Sequence, residues 1–357
     1  MVPSESEVFL WPPLGAQGVP DRNQNSLYHR IPPQGFYHSI RRLAFENASF
    51  IKEREKMDLK LGFIGLGEMG KWMAINVVKA GYPLAVYDIR PDPVQDLTAR
   101  GASLARSPTE VAKNADCVLL SLPDTEAVEN VIFGENGLID GVPPGSIVVD
   151  LSTIDYLATL GIEEKLRSRG VTFIDAPVTG MEARAKEATL TIMAAGEEKA
   201  VKKIRPILGL LGNTIVYMGK SGNGQLTKLV NQLLFNISAA AMAEVLPMAV
   251  KLGLDPEAVC QAVTTGTGRT FALEFFAPHI LQNNFKPGYP LIKAYKDMVS
   301  AAEISSKKKI PLPVLSAAMQ TYQMALAQGL GNENKGAMIK VWEKVLGVEV
   351  RKKGRSG

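Results

Sequence analysis

From Lys60 onward, short apolar runs alternate with longer amphipathic segments. The runs at 61–64, 84–89, 116–121, 146–151, 172–175, 189–194 and 214–218 are strand-like in length and composition. Between several of them lie segments of helical period that end in glycine, such as "TEAVENVIFGENG" and "LATLGIEEKLRSRG". Strands spaced by helices predict βαβ units and a mainly parallel sheet with helices on both faces. After Gly219 the strand pattern stops. Residues 225–252 read as one long helix, about 40 Å at 1.5 Å per residue, and helical segments follow to about 347. The pattern therefore predicts a sheet domain over 57–219 and an all-α domain over 220–350, joined by the long helix, with a basic tail over 351–357.

The first 56 residues break this pattern. "MVPSESEVFLWPPLGAQGVPDRNQNSLYHRIPPQG" is dense in Pro, Gly and polar residues and has no period, which reads as disorder. Glu5, Glu7, Asp21 and Glu46 argue against a transit peptide, which avoids acidic residues. Met57 stands immediately before the first strand, so residues 1–56 are read as an appended or mis-assigned extension without a catalytic part.

Composition narrows the picture. With 357 residues the chain is long enough for two cores, and 46% apolar with 21% charged residues is ordinary for a soluble globular protein. A net charge of +4 without a Lys/Arg stripe gives no sign of a nucleic-acid partner. Cys117 and Cys260 read as reduced core residues of a cytoplasmic protein. The longest apolar stretch, "LLFNISAAAMAEVLPMAV", holds Asn236, Glu244 and Pro247, the composition of a buried helix rather than a membrane span.

Gly65, Gly67 and Gly70 form G-x-G-x-x-G directly after the strand "LGFI" and at the start of a helix. The first glycine permits the tight turn, the second lets the backbone approach a pyrophosphate, and the third lets helix and strand pack closely. The helix N-terminus offers N–H groups and a positive dipole end to the phosphates. Leu66, Glu68 and Met69 complete the candidate cofactor loop. Asp88 ends the next strand, 21 residues after Gly67, where a carboxylate accepts the ribose hydroxyls. Strand, glycines, helix, second strand and terminal Asp in register predict a Rossmann-type dinucleotide site. A carboxylate at 88 repels the 2′-phosphate of NADP and favours NAD; Arg90 keeps NADP open.

Histidine is nearly absent: His29 and His38 precede the first strand, leaving His279. A histidine base and a His/Cys zinc site both lack their groups, so no metal is expected. Lysine does the same proton work when burial tunes its pKa. Lys228 lies just inside the long helix in "GKSGNGQLTKLVNQLLFN", with Asn231 and Gln232 at i+3 and i+4 on its face. One ammonium and two amides thus share one side of the helix beside the junction of the two domains. An exposed lysine with capping neighbours is the plain alternative, and the adjoining apolar run argues against it.

Four segments carry a resemblance: "GFIGLGEMGKWMAINVVKAG", "DAPVTGMEARAKEATLTIM", "GNGQLTKLVNQ" and "KDMVSAAE". In this order the chain from about 60 to 350 resembles the β-hydroxyacid dehydrogenase family, which includes 3-hydroxyisobutyrate dehydrogenases and tartronate semialdehyde (2-hydroxy-3-oxopropionate) reductases. "GLGNENKGAMIKVWEKV" looks closest to the reductase branch. The resemblance implies hydride transfer between a nicotinamide and a small 3-hydroxy acid or semialdehyde, with Lys228 giving and taking the proton and Asn231 assisting. It implies that Thr179 and Gly180 bind the substrate carboxylate, and that Ser152 lines the substrate. By the same resemblance Leu122, Pro123, Thr153 and Lys296 border the cofactor, and the chain forms a homodimer or homotetramer. Met181 and Ala188 stand where the family usually has glycine, so the substrate pocket is expected to differ in shape. Two rivals remain in view: an imine reductase of the same fold, and a non-catalytic NAD-binding scaffold. By the resemblance, both usually lack the helix lysine.

Overall fold

The computed structural model describes residues 59–286 and 288–352. The extension over 1–56 and the tail beyond Lys352 lie outside the described residues.

Six parallel strands form the main sheet: β1 (Leu61–Ile64), β2 (Leu84–Tyr87), β3 (Ser103–Leu104), β4 (Cys117–Leu120), β5 (Ile147–Asp150) and β6 (Thr172–Asp175). Their order is β3-β2-β1-β4-β5-β6. The order reverses between β1 and β4, and in such sheets the ligand crevice lies beyond the carboxyl ends of the strands at that switch point. Phe63, Val118, Leu119, Val148 and Val149 are fully buried, as expected of strands covered on both faces by helices.

The last two predicted strands do not extend this sheet. β7 (Val178–Thr179), β8 (Leu190–Ala194) and β9 (Gly212–Tyr217) make a separate three-stranded sheet, with β7 antiparallel and β9 parallel to β8. β3 and β7 escape the sequence pattern because two residues are too few to display an alternation.

Helices α1 (Gly70–Lys79), α2 (Pro91–Thr98), α3 (Pro108–Lys113), α4 (Thr125–Phe133), α5 (Tyr156–Arg167), α6 (Met181–Lys186) and α7 (Glu198–Leu208) accompany the strands. Beyond Tyr217 no named strand occurs among the described residues. The long helix is α8 (Asn223–Lys251), followed by α9 (Pro256–Thr265), α10 (Phe271–Leu281), α11 (Leu291–Lys308), α12 (Pro313–Ala327) and α13 (Ile339–Leu346). α8 is long and apolar enough to cross a membrane by length and composition, with a mean hydropathy of 1.7 in its best window. Here it is the central helix of the helical half. It packs against α10, α11, α12 and α13, and Ala239, Ala240 and Ala243 are nearly or fully buried among them. Small side chains let those neighbours approach closely.

Candidate active site

The glycine loop separates three roles. Gly65 is left-handed at φ +92°, and a Cβ there would fall 2.3 Å from the Ser121 carbonyl oxygen. A Cβ on Gly70 would fall 2.0 Å from the Gly65 oxygen, so packing alone excludes a side chain at either position. Gly67 is different: its Cβ would meet only Arg90 Nη2, at 4.0 Å. The open space lies beside the start of α1, which no side chain caps. Leu66 to Met69 form the turn between β1 and α1, so the loop fits a pyrophosphate held by backbone N–H groups.

At the end of β2, Asp88 Oδ2 accepts the Leu66 N–H at 2.6 Å, and Oδ1 accepts the Arg90 N–H at 2.8 Å. Arg90 Nε also donates to Oδ1 at 3.1 Å. Burial works against the charge, but the Arg90 and Leu66 hydrogen bonds outweigh it and hold the carboxyl below its ordinary range. The Arg90 side chain is thus folded onto the acid that the ribose hydroxyls would use.

α8 begins on a buried carboxylate. Asp175, at the end of β6, accepts the N–H groups of Gly222 at 2.8 Å and Gln225 at 3.1 Å. A Cβ on Gly224 would fall 2.7 Å from that same carboxylate, which explains the glycine in "GNGQLTK". Asp150 stands beside Asp175 in register on β5. Burial pushes both carboxyls up to about 6. Gln225 then grips the "DLSTID" loop, donating to Ser152 O at 2.9 Å and accepting from Ile154 N at 3.2 Å.

One turn into α8, Lys228 is buried and its Nζ donates to Val178 O at 2.9 Å. That bond ties the helix to the segment next to Thr179. No carboxylate lies within ion-pair distance of Lys228 among the described residues. Desolvation pulls its pKa down to about 8, and the field of Asp297 partly restores it. Asn231 donates to Gln232 Oε1 at 3.2 Å, and Gln232 donates to Asp297 Oδ2 at 3.1 Å. Burial raises Asp297, while the Gln232 bond and the charges of Lys335, Lys228 and Lys296 oppose the rise.

A cleft opens beside this face, lined in part by Pro123, Thr153, Gln232, Tyr289, Lys296 and Asp297. It brings together Pro123, Thr153, Gln232 and Lys296 from the sequence-predicted set. Lys228, Thr179, Gly180 and Asn231 do not line it. Ser152 is buried, its Oγ accepting the Leu122 N–H at 2.9 Å, so it fixes the backbone of the cofactor-side loop.

The loop after β7 carries the two departures from the family glycines. Gly180 has φ +140°, Met181 φ +61° and Ala188 φ +55°. Ala188 stands just past α6: its N–H bonds Ala185 O at 3.3 Å, and Thr189 N–H bonds Arg184 O at 2.9 Å. This is the paired bond pattern of a helix end that takes a left-handed residue, usually glycine. The backbone therefore keeps the shape glycine favours while side chains occupy it. α6 is also clamped onto α1: Trp72 Nε1 donates to Glu182 Oε1 at 2.9 Å, and Asn76 Nδ2 to Ala185 O at 2.9 Å.

Sequence reasoning missed Asp175, Gln225, Asp297 and Lys335. Asp297 was visible in "KDMVSAAE" beside Lys296, and Asp175 ends an apolar run as Asp88 does. Nothing in the sequence distinguishes Lys335 from a surface lysine, yet it is 1% exposed.

Residues 60–219 match the family described as the NAD binding domain of 6-phosphogluconate dehydrogenase. Residues 222–342 match the NAD-binding family of NADP-dependent 3-hydroxyisobutyrate dehydrogenase. The 2-(hydroxymethyl)glutarate dehydrogenase of Eubacterium barkeri is 36% identical over 82% of this chain and 97% of its own length. The chain belongs to the β-hydroxyacid dehydrogenase family. The 2-hydroxy-3-oxopropionate reductase of Escherichia coli K12 is 33% identical over 80% of this chain and 97% of its own. A crystal structure of 3-hydroxyisobutyrate dehydrogenase from Salmonella typhimurium superposes with a TM-score of 0.73 at 28% identity, covering 79% of this chain and 99% of that one. As a member of this family the chain is an NAD(P)-dependent hydroxyacid dehydrogenase, and the doubly wound fold with its helical second half agrees with the expectation from sequence.

Proposed function

We propose that this dehydrogenase interconverts a small 3-hydroxy acid and its semialdehyde, of the 3-hydroxyisobutyrate or 2-hydroxy-3-oxopropionate type, with Lys228 as general acid and base. One observation carries the reading: a buried ammonium, held by a single backbone carbonyl and by no carboxylate, with its pKa pulled to about 8. Such a group exchanges its proton near neutral pH. The chemistry that a bound nicotinamide would supply here is hydride transfer. Lys228 protonates the developing alkoxide in reduction and takes the hydroxyl proton in oxidation. Asn231 and Gln232 hold the substrate on the lysine face, with Ser152 lining it. The hydroxyl of Thr179 and the N–H of Gly180 fix its carboxylate, turning an encounter into an oriented approach.

Gly65 to Gly70 cradle the pyrophosphate, Asp88 reads the ribose, and Leu122, Pro123, Thr153 and Lys296 border the nicotinamide end. Asp88 favours NAD over NADP, while Arg90, already at the same spot, supports residual use of NADP. By the resemblance, an imine reductase or a non-catalytic scaffold usually lacks this helix lysine, so the presence of Lys228 favours the dehydrogenase reading. The exposed apolar stripe of α8, with Val230, Leu234, Val245 and Met248, supports a homodimer or homotetramer. The two buried thiols agree with a reducing, cytoplasmic setting.

Lys228→Ala tests the reading. Turnover should fall about 10²–10⁴-fold, the usual contribution of general acid–base catalysis, while NADH affinity by fluorescence titration stays unchanged. Lys228→Arg should not rescue it, because guanidinium does not release its proton. Near-normal turnover in Lys228→Ala would assign the proton to another group.

A further inference from the structure

The loop that follows β5 runs past the end of the sheet, and one side chain of α8 meets its backbone. Pairing at this end of the strands stops with Leu151 N–H on Leu120 O at 2.9 Å and Ala176 N–H on Asp150 O at 2.7 Å. Beyond it, Gln225 Nε2 donates to Ser152 O at 2.9 Å, and Gln225 Oε1 accepts from Ile154 N at 3.2 Å. A carbonyl only accepts and a backbone N–H only donates, so a single orientation of the amide satisfies both. These two groups flank Thr153, which lines the cleft together with Pro123 and Lys296. The mechanism above gives the Gln225 amide no task.

Both ends of this clamp are held. Gln225 is buried, and its backbone N–H donates to Asp175 Oδ2 at 3.1 Å. Lys228 follows three residues later on the same face of α8, with its Nζ on Val178 O at 2.9 Å. On the loop side, Ser152 N–H donates to Asp150 Oδ1 at 2.9 Å, and Ser152 Oγ accepts the Leu122 N–H at 2.9 Å. One face of α8 therefore carries the lysine and, one turn earlier, the grip on the loop that holds Thr153.

We propose that Gln225 is a positioning residue for hydride transfer: by clamping the peptide groups on either side of Thr153, it sets that side chain at a fixed place relative to Lys228. The proposal rests on the reading of Lys228 as general acid and base and of Thr153 as a border of the nicotinamide. Anchoring of the helix is a separate task. Asp175 does that through the backbone N–H groups of Gly222 and Gln225, which any side chain at 225 would leave in place. The amide serves the loop. Without it, Ser152 O and Ile154 N–H would lose their partner in a buried setting, and the loop would shift to recover hydrogen bonds. A displacement of about 1 Å in a positioned group can cost on the order of 100-fold in rate.

The test is the oxidation of 3-hydroxyisobutyrate and of glycerate by NAD, each unlabelled and deuterated at C3, in the wild type and in variants. Gln225→Met fills similar space without either hydrogen bond. Its kcat should fall about ten- to a hundredfold, with a deuterium isotope effect at least as large as in the wild type. Substrate KM, and NADH affinity by fluorescence titration, should stay within about threefold, as for an interaction that matters only in the transition state. Gln225→Glu keeps the acceptor for Ile154 but not the donor for Ser152 O, so its kcat should fall between the two; it also covers the case in which Met fails to fold. In a Thr153→Ala background, Gln225→Met should cost less than about threefold more, because the clamp then has no side chain to set. An unchanged kcat, a fully additive loss with Thr153→Ala, a reduced isotope effect, or a Gln225→Glu protein that does not fold overturns the proposal and leaves the Lys228 reading intact. A wild type that oxidises neither acid overturns both.

Discussion

Two loops of this protein demand glycine-like backbone, and they answer the demand differently. In the cofactor loop, Gly65 and Gly70 remain glycine because a Cβ would run into backbone oxygen at 2.3 and 2.0 Å. Backbone oxygens held by a sheet and a helix start do not move aside. In the loop after β7, Met181 and Ala188 are left-handed yet carry side chains. What is asked there is only a dihedral angle, which costs an L-residue about 1–2 kcal/mol. A steric demand is absolute, and a conformational one is negotiable. The glycine loop is thus fixed, while the loop after β7, proposed above to bind the substrate carboxylate, takes side chains at left-handed positions without losing its shape.

The sharpest way to break this contrast lies within the cofactor loop itself. Gly70→Ala should destabilise the fold by about 3 kcal/mol or more, in the upper range for overpacking, read by chemical denaturation. Gly67→Ala, with open space around its Cβ, should leave stability within about 0.5 kcal/mol, but NADH affinity should fall at least tenfold. Equal stability losses in the two variants would show that the Gly67 space is not kept for a ligand.

That difference also explains what could be read from sequence. The strand, G-x-G-x-x-G and Asp88 were legible because each is a local demand stated by local residues. α8 was legible from its length, and its helical face put Lys228, Asn231 and Gln232 together. Asp175, the acid that holds the start of α8, and the Lys335–Asn236 bond join segments far apart in the chain. Residue 335 is 99 positions from its partner Asn236, and no period or spacing records that meeting. The separate three-stranded sheet was missed for a similar reason: β7 is only two residues long, and β8 and β9 look locally like more of the parallel sheet.

In the loop after β7, Met181→Gly sharpens the comparison on the proposed function. Its side chain adds bulk next to Gly180, so removing it should improve turnover of larger, branched hydroxy acids relative to unbranched ones. Relief of the left-handed strain and the extra freedom of glycine in the unfolded chain nearly offset each other, so stability should change by less than about 1 kcal/mol. A substrate panel with an unchanged ranking would mean that residue 181 does not shape the pocket.

The smallest effect is expected at Ala188, where conformation alone is at issue. Its N–H and that of Thr189 close the end of α6, a pattern in which glycine is preferred because a left-handed Cβ is strained. Ala188→Gly removes that strain and adds unfolded-state entropy, which leaves a net stabilisation of about 0.5 kcal/mol. Since α6 is anchored on α1 through Trp72–Glu182 and Asn76–Ala185, the loop should keep its position. KM for substrate should therefore match the wild type. The measurement is a pair of denaturation curves beside a substrate titration. A loss of stability would mean that the Ala188 methyl contributes more by packing than its backbone angle costs. The distinction between steric and conformational demand would then fail in the loop where it should be cleanest.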